Sequence, residues 1–117
     1  MRMNFDDFWN RAVIFLQEKI KDGGGELKMC NWSKDDKIRR ETIPMIKASE
    51  KEIICLTEKG ENYKATRNDL QYTYGVYDDY KKGDVLRGQI REEIHTSTYT
   101  ICTIHYLEKN RSKLNQN

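Results

Sequence analysis

The stretch CTIH, residues 102–105, places a thiol and an imidazole three residues apart. On a helix, Cys102 and His105 would share one face, a spacing that suits two zinc ligands or a nucleophile with its general base. A zinc site needs more ligands nearby, but no CxxC motif is present, and Cys30 and His95 would have to come from other segments. Acyl transfer also needs donors for an oxyanion, and no turn beside Cys102 offers them. The sequence therefore favours packed side chains here, and it predicts no metal, no cofactor and no enzymatic activity.

Adjacent acids and a run of glycines are the other groups that could do chemistry. Neighbouring side chains on a helix point apart and would not converge on a metal, which applies to the pairs Asp6–Asp7, Asp35–Asp36 and Asp78–Asp79. The glycines of DGGGEL, residues 22–27, lack the lysine and the following helix of a phosphate-binding loop. These groups are therefore expected to be exposed charges and a turn.

Composition narrows the class of protein. The chain has 117 residues, of which 37% are hydrophobic and 34% charged, as expected for one polar globular domain that uses Tyr and Trp in its core. No apolar run approaches the roughly 18 residues of a membrane span, and the acidic N-terminus is unlike a secretory signal. Three widely spaced cysteines favour a reducing compartment. We therefore expect one cytoplasmic domain over residues 1–117, with the Lys, Asn, Ile and Tyr content of an AT-rich bacterial, phage or mobile-element genome.

The N-terminal segment is predicted to be an amphipathic helix over residues 4–22. Asn4 can cap it, and Asp7 lies in the first turn, where acidic side chains are favoured. The glycines at 23–25 should end it. Seven apolar residues recur at helical spacing and should pack on a sheet: Phe5, Phe8, Trp9, Ala12, Val13, Leu16 and Ile20.

Residues 26–67 are predicted to contain three or four short antiparallel strands, because apolar runs alternate there with turn-forming clusters. The most apolar run, residues 53–56, is expected at the centre of the sheet. Pro44 cannot donate a hydrogen bond to a neighbouring strand, so its strand is expected to lie at an edge or to begin there.

From residue 68 the apolar period becomes helical, and residues 68–108 are predicted to form two to three helices. Leu70, Tyr74 and Tyr77 form the apolar stripe of the first of them. The polar tail over residues 110–117 is expected to be frayed.

The segment HTSTYTICTIHYLE, residues 95–108, is ambiguous. Its Thr, Tyr and Ile content favours a strand. As a helix, however, Ile101, Ile104 and Leu107 make one apolar stripe, and the polar residues cluster at the start, where they could cap. Because the spacing of apolar residues is a better guide than the strand propensity of single residues, we expect a helix.

Two consecutive helices ending in this segment would resemble a helix-turn-helix, whose second helix presents short polar side chains to DNA. A helical hairpin that only covers the sheet is the alternative. Thr98, Tyr99 and Thr103 are expected to be at least partly exposed. The candidate contacts to nucleic acid or another partner are Arg87, Arg91, Ser97, Thr98, Tyr99, Thr103, Lys109 and Lys113.

The predicted fold is α+β, with an N-terminal helix, a small antiparallel sheet and a C-terminal group of helices on one of its faces. Two functions remain open. One is a small nucleic-acid-binding regulator that uses the C-terminal helix pair, although residues 69–108 carry four bases against seven acids and phosphate-binding surfaces are normally basic. The other is a non-catalytic protein-interaction module, such as an adaptor or small inhibitor, which suits the net charge of +2 and the abundant Tyr and Trp.

Overall fold

The structure, a computed structural model, describes residues 3–34 and 37–114, and of residues 37–41 it describes the backbone only. The predicted α+β class is confirmed, with an N-terminal helix, a four-stranded sheet and C-terminal helices. None of the helices in the described ranges is long and apolar enough to cross a bilayer. The elements are α1 Phe5–Asp22, β1 Leu27–Ser33, β2 Lys37–Ala48, β3 Glu52–Leu56, β4 Asn62–Thr66, α2 Arg67–Lys82, α3 Arg87–Glu93, α4 Ser97–Lys109 and α5 Arg111–Leu114.

Helix α1 begins and ends as its sequence predicts. The Asn4 side chain accepts a hydrogen bond from the backbone N–H of Asp7 at 2.9 Å, which satisfies one of the free donors of the first turn. At the other end the chain leaves through Gly24, whose φ of 75° is a conformation that glycine adopts without strain. Between these ends, all but one of the seven predicted apolar residues are buried, and Ile20 is partly buried against the core.

The four strands form an antiparallel meander in the order β1-β2-β3-β4. The central position predicted for residues 53–56 is confirmed, because β3 pairs with β2 on one side and with β4 on the other. Alternation places Ile53 and Cys55 on the face that carries the core, where both are fully buried. Helices α1, α2 and α4 all contribute to the core over this face.

The expectation that Pro44 marks an edge strand or the start of one is wrong. Pro44 lies well inside β2, which has a neighbour on each side, and it is paired with Lys28 of β1. The reason is local: β3 pairs with β2 only at Met45, Lys47 and Ala48. Pro44 therefore lies just beyond the stretch that faces β3, where a missing N–H interrupts no pairing with that strand.

Helix α4 lies at the centre of the packing, and the expected helix over the ambiguous segment is confirmed. It packs on β1 and on α2. Its predicted stripe, Ile101, Ile104 and Leu107, is fully buried. A buried hydrogen bond of 2.8 Å joins Thr73 on α2 to Thr100 on α4, so the two helices are fixed by polar as well as apolar contacts.

The C-terminal segment differs from the expectation of a frayed tail from residue 110. Residues Arg111–Leu114 form the short helix α5, and Leu114 is buried in the main core. The last three residues, 115–117, lie outside the described part of the chain. Burial of Leu114 and a hydrogen bond of 3.4 Å from Arg11 of α1 to the Leu114 carbonyl hold this segment against α1.

Candidate binding cleft

A cleft of about 710 Å³ lies where the β1–β2 ribbon and the β3–β4 hairpin part from each other, beside the first turn of α4. It draws its walls from four separate stretches of the chain. The lining residues are Asn31, Thr42, Ile43, Pro44, Leu56, Thr57, Glu58, Lys59, Glu61, Tyr63, Thr98 and Tyr99.

One wall of the cleft is the edge of β2. Pairing between β2 and β3 stops at Met45 and Cys55, while β2 itself extends back to Lys37 and stays paired with β1 there. Over residues 37–44, therefore, none of the described strands pairs with β2 on the side of β3. Such an edge presents backbone N–H and C=O groups that can pair with another extended chain.

Two stacked tyrosines form the opposite wall. The rings of Tyr63 on β4 and Tyr99 on α4 are 4.6 Å apart between centroids and inclined by 20°. The Tyr63 hydroxyl donates to the backbone carbonyl of His95 at 3.2 Å, which fixes the ring against the turn before α4. Burial, helped by the nearby groups of Cys55, Tyr63, Glu58 and Cys102, raises the pKa of Tyr99 above its usual value. The Tyr99 phenol therefore stays protonated at neutral pH.

The turn between β3 and β4 forms the rim. Its shape is held by Thr57, whose N–H donates to the Glu61 carbonyl at 2.9 Å and whose hydroxyl accepts from the Glu61 N–H at 3.1 Å. Gly60 completes the turn with a φ of 79°. The side chains that this turn brings to the cleft include Glu58, Lys59 and Glu61, two acids and one base.

Of the residues predicted as contacts, Arg87, Ser97, Thr98 and Tyr99 come together at the start of α4. Thr98 and Tyr99 line the cleft. Arg87 instead donates from Nη2 to the Thr98 hydroxyl at 3.1 Å, and its Nη1 is buried without a hydrogen-bond partner among the described residues. Arg87 therefore packs α3 against α4, and it is not free to reach a distant phosphate.

The expectation that Thr103 is partly exposed is wrong. Its exposed fraction is zero, and its hydroxyl donates to the Tyr99 carbonyl at 2.8 Å. Ser97, also proposed as a contact, is 3% exposed. The physical reason is that α4 has β1 on one side and α2 on another, so most of its side chains are buried and the others are largely covered. Of its thirteen residues, only Lys109 is largely exposed.

The three remaining predicted contacts are exposed but lie apart. Arg91 is on α3, before the first turn of α4, whereas Lys109 lies in the last turn of α4 and Lys113 follows on α5. A helix of 13 residues is about 20 Å long. The structure therefore does not gather the eight predicted residues into one surface.

The Cys102 and His105 pair is embedded in protein contacts. The Cys102 sulfur accepts from the backbone N–H of Trp32 at 3.3 Å. The His105 ring is stacked on the Trp32 indole, and its Nδ1 is 2.9 Å from the Tyr77 hydroxyl. Within the described ranges no group of three or more His, Cys, Asp or Glu side chains is placed to hold a metal ion.

The sequence analysis did not identify the rim, nor Tyr63, which is one of the two rings of the aromatic wall. Only the aromatic character of Tyr63 near the start of a strand could have drawn attention to it. The cleft depends on where β3 stops pairing, which no local pattern specifies. No protein-family model matches this chain, and neither the curated proteins nor the solved structures provided a match.

Proposed function

We propose that this protein is a non-catalytic protein-interaction module that binds an extended segment of its partner in the cleft. The observation that carries the proposal is the edge of β2, whose residues 42–44 line the cleft together with the stacked rings of Tyr63 and Tyr99. An extended peptide can add to such an edge through main-chain hydrogen bonds, while a neighbouring pocket selects its side chains.

Tyrosines suit this role because each ring offers a large, rigid contact surface with a polar tip. Tyr63 and Tyr99 are only partly buried, and their stacking holds both rings in place before a partner arrives. Little conformational entropy would then be lost on binding. The three free thiols, Cys30, Cys55 and Cys102, are consistent with the cytoplasm as the place where this module acts.

A nucleic-acid-binding regulator is the second candidate, favoured by the exposure of Arg91, Lys109 and Lys113. It is the weaker of the two for two reasons. Helix α4 has almost no free face to enter a major groove, and these bases lie at opposite ends of it. Among the described side chains that line the cleft, two are acids and one is a base.

Selection of random peptides displayed on phage, followed by affinity measurement on the selected sequences, tests the proposal. Backbone amide shifts on titration should change mainly at Thr42 and Ile43, at residues 57–63, and at the start of α4. Tyr99→Ala should weaken binding roughly 10- to 30-fold, as loss of an aromatic anchor does. Tyr72→Ala, the same change on α2 away from the cleft, should leave affinity nearly unchanged. Thermal unfolding of both variants establishes that they remain folded.

Two outcomes would oppose the proposal. One is that the selected peptides shift amides elsewhere and bind the Tyr99→Ala variant as tightly as the unmodified protein. The other is that duplex DNA binds with an affinity that falls steeply with salt and is reduced by replacing Arg91 and Lys109, which would favour the nucleic-acid regulator.

A further inference from the structure

We infer that the cleft recognises an arginine side chain of the bound segment, with its guanidinium against the Tyr63–Tyr99 pair and between the carboxylates of Glu58 and Glu61. This inference rests on the proposed function, since it names the chemistry of the segment that the cleft would take.

Charge gives the first reason. Glu58 and Glu61 are exposed and line the cleft, and neither carboxylate forms an ion pair or a hydrogen bond with another side chain in the described part of the protein. Lys59 is the single base among the described side chains that line it. Among the described side chains, the rim therefore has two acids without cationic partners and one base, and this net negative charge complements a cation.

The position of these acids relative to the rings is the second reason. Glu58 and Glu61 line the same cleft as Tyr63 and Tyr99, and the negative charge of Glu58 adds to the rise in the Tyr99 pKa that burial mainly causes. A guanidinium can stack on an aromatic face while its edge donates to a carboxylate in two parallel hydrogen bonds. One guanidinium group could therefore contact both the aromatic wall and the acidic rim.

Rigidity is the third reason. The Thr57 side chain and the hydrogen bond from the Gly60 N–H to the Thr57 carbonyl at 2.8 Å hold the turn that carries both acids. The stack with Tyr63 likewise holds Tyr99. An ammonium group would use the charge but not the planar geometry, because lysine neither stacks nor forms a fork of donors. We therefore assign arginine in preference to lysine.

The probe is a synthetic peptide of sequence Thr-Val-Arg-Val-Thr with blocked termini, titrated into the full-length protein by NMR. Matched peptides replace the arginine by citrulline, which keeps the shape without the charge, or by lysine. We expect the arginine peptide to bind roughly tenfold more tightly than the citrulline peptide, the effect of one hydrogen bond to a charged group. The lysine peptide should fall between them, and added salt should narrow the difference.

Protein variants locate the effect. In the double variant Glu58→Gln and Glu61→Gln, the preference for arginine over citrulline should disappear. In the double variant Glu92→Gln and Glu93→Gln, which removes two exposed acids of α3, it should persist. Because all four residues are exposed, both variants should stay folded.

The possible outcomes distinguish failure of the arginine assignment from failure of the proposed function. Equal affinity for the arginine and citrulline peptides, with shifts at the cleft, overturns the arginine assignment and leaves the protein-interaction module standing. Equal affinity for arginine and lysine reduces the site to a general cation site and overturns the assignment too. Failure of the arginine peptide to bind, while library peptides without arginine bind at the cleft, also overturns it. Failure of every peptide, library peptides included, overturns both.

Discussion

The imidazole of His105 lies flat on the indole of Trp32, with ring centroids 3.9 Å apart and ring planes inclined by 3°. Its Nδ1 is also within hydrogen-bonding distance of the Tyr77 hydroxyl. Burial, with the positive charges of Lys109 on its own helix and Lys81 on α2, lowers the pKa of His105 from 6.5 to about 4. The neutral ring is therefore part of the folded structure.

The first prediction concerns the loss of stability at acidic pH. Between pH 6.5 and about 4 the unfolded chain holds a proton on His105 that the folded protein lacks, so lowering the pH through this range favours unfolding. Because the ring is partly exposed, we expect a loss of roughly 1–2 kcal/mol, less than the full linkage value. Urea unfolding at several pH values measures it. His105→Gln should reduce the acid dependence by that amount, and His95→Gln, at an exposed histidine, should not. If the free energy of unfolding depended on pH in the same way for His105→Gln and for the unmodified protein, the lowered pKa of His105 would be contradicted.

A matched pair of isoleucines tests the position of α4. Ile104 is fully buried beneath the sheet face, whereas Ile14 on α1 is 61% exposed. Ile104→Ala should lower the free energy of unfolding by roughly 2–4 kcal/mol, because it leaves a cavity in the core. Ile14→Ala should change it by less than about 0.5 kcal/mol. Chemical denaturation gives both values, and similar costs at the two positions would mean that α4 does not occupy the core.

Alanine substitutions at two glycines, one inside α2 and one at its end, should change the stability of the protein in opposite directions. Gly75 lies exposed inside α2 with open space around it, so Gly75→Ala should stabilise the protein by roughly 0.5–1 kcal/mol through better helix propensity. Gly83 ends the same helix with a φ of 89°, and an added Cβ would lie 2.9 Å from the Lys34 Nζ. Gly83→Ala should therefore cost roughly 1–2 kcal/mol. Melting temperatures that move in the same direction for both variants would count against the left-handed end of α2.

A substitution at Cys102 distinguishes a packing role of this side chain from a metal-binding role. Its side chain is 1% exposed, and its sulfur contacts the Trp32 backbone. Cys102→Ala should destabilise the protein by roughly 1–2 kcal/mol as a core truncation. Elemental analysis of the purified protein should show the same zinc content before and after the substitution. One equivalent of zinc that disappears with the thiol would replace the packing role with a metal site.

The sequence was most informative where a local pattern decides the structure. The aromatic spacing of α1, its Asn4 cap and the glycines after it specify that helix without reference to the rest of the chain. The same holds for α4, in which the stripe from Ile101 to Leu107 outweighs the strand propensity of its threonines.

It was less informative where tertiary contacts decide. Thr103 was expected outside because threonine is polar, but β1 and α2 enclose α4, and a hydroxyl that bonds back to the Tyr99 carbonyl can be buried at little cost. Pro44 was expected in an edge strand because it has no N–H to donate. The expectation failed because β3 stops pairing with β2 at Met45, and this end point cannot be read from composition. The cleft forms because β3 stops pairing with β2 at that point. Its lining residues are spread along the sequence from Asn31 to Tyr99, so the sequence alone could not show that they lie together.

The coverage of β1 by α4 has a consequence for synthesis of the chain. β1 is made early, yet Cys102, which bonds to Trp32 on it, follows 70 residues later. Strands pair in chain order, so the meander can form before α4 exists, and Met29 then lacks its contact with Thr103 of α4. A nascent chain is therefore a target for chaperones and proteases until residue 107 has left the ribosome. A premature stop before α4 should yield a product that aggregates or is degraded, although every strand is present.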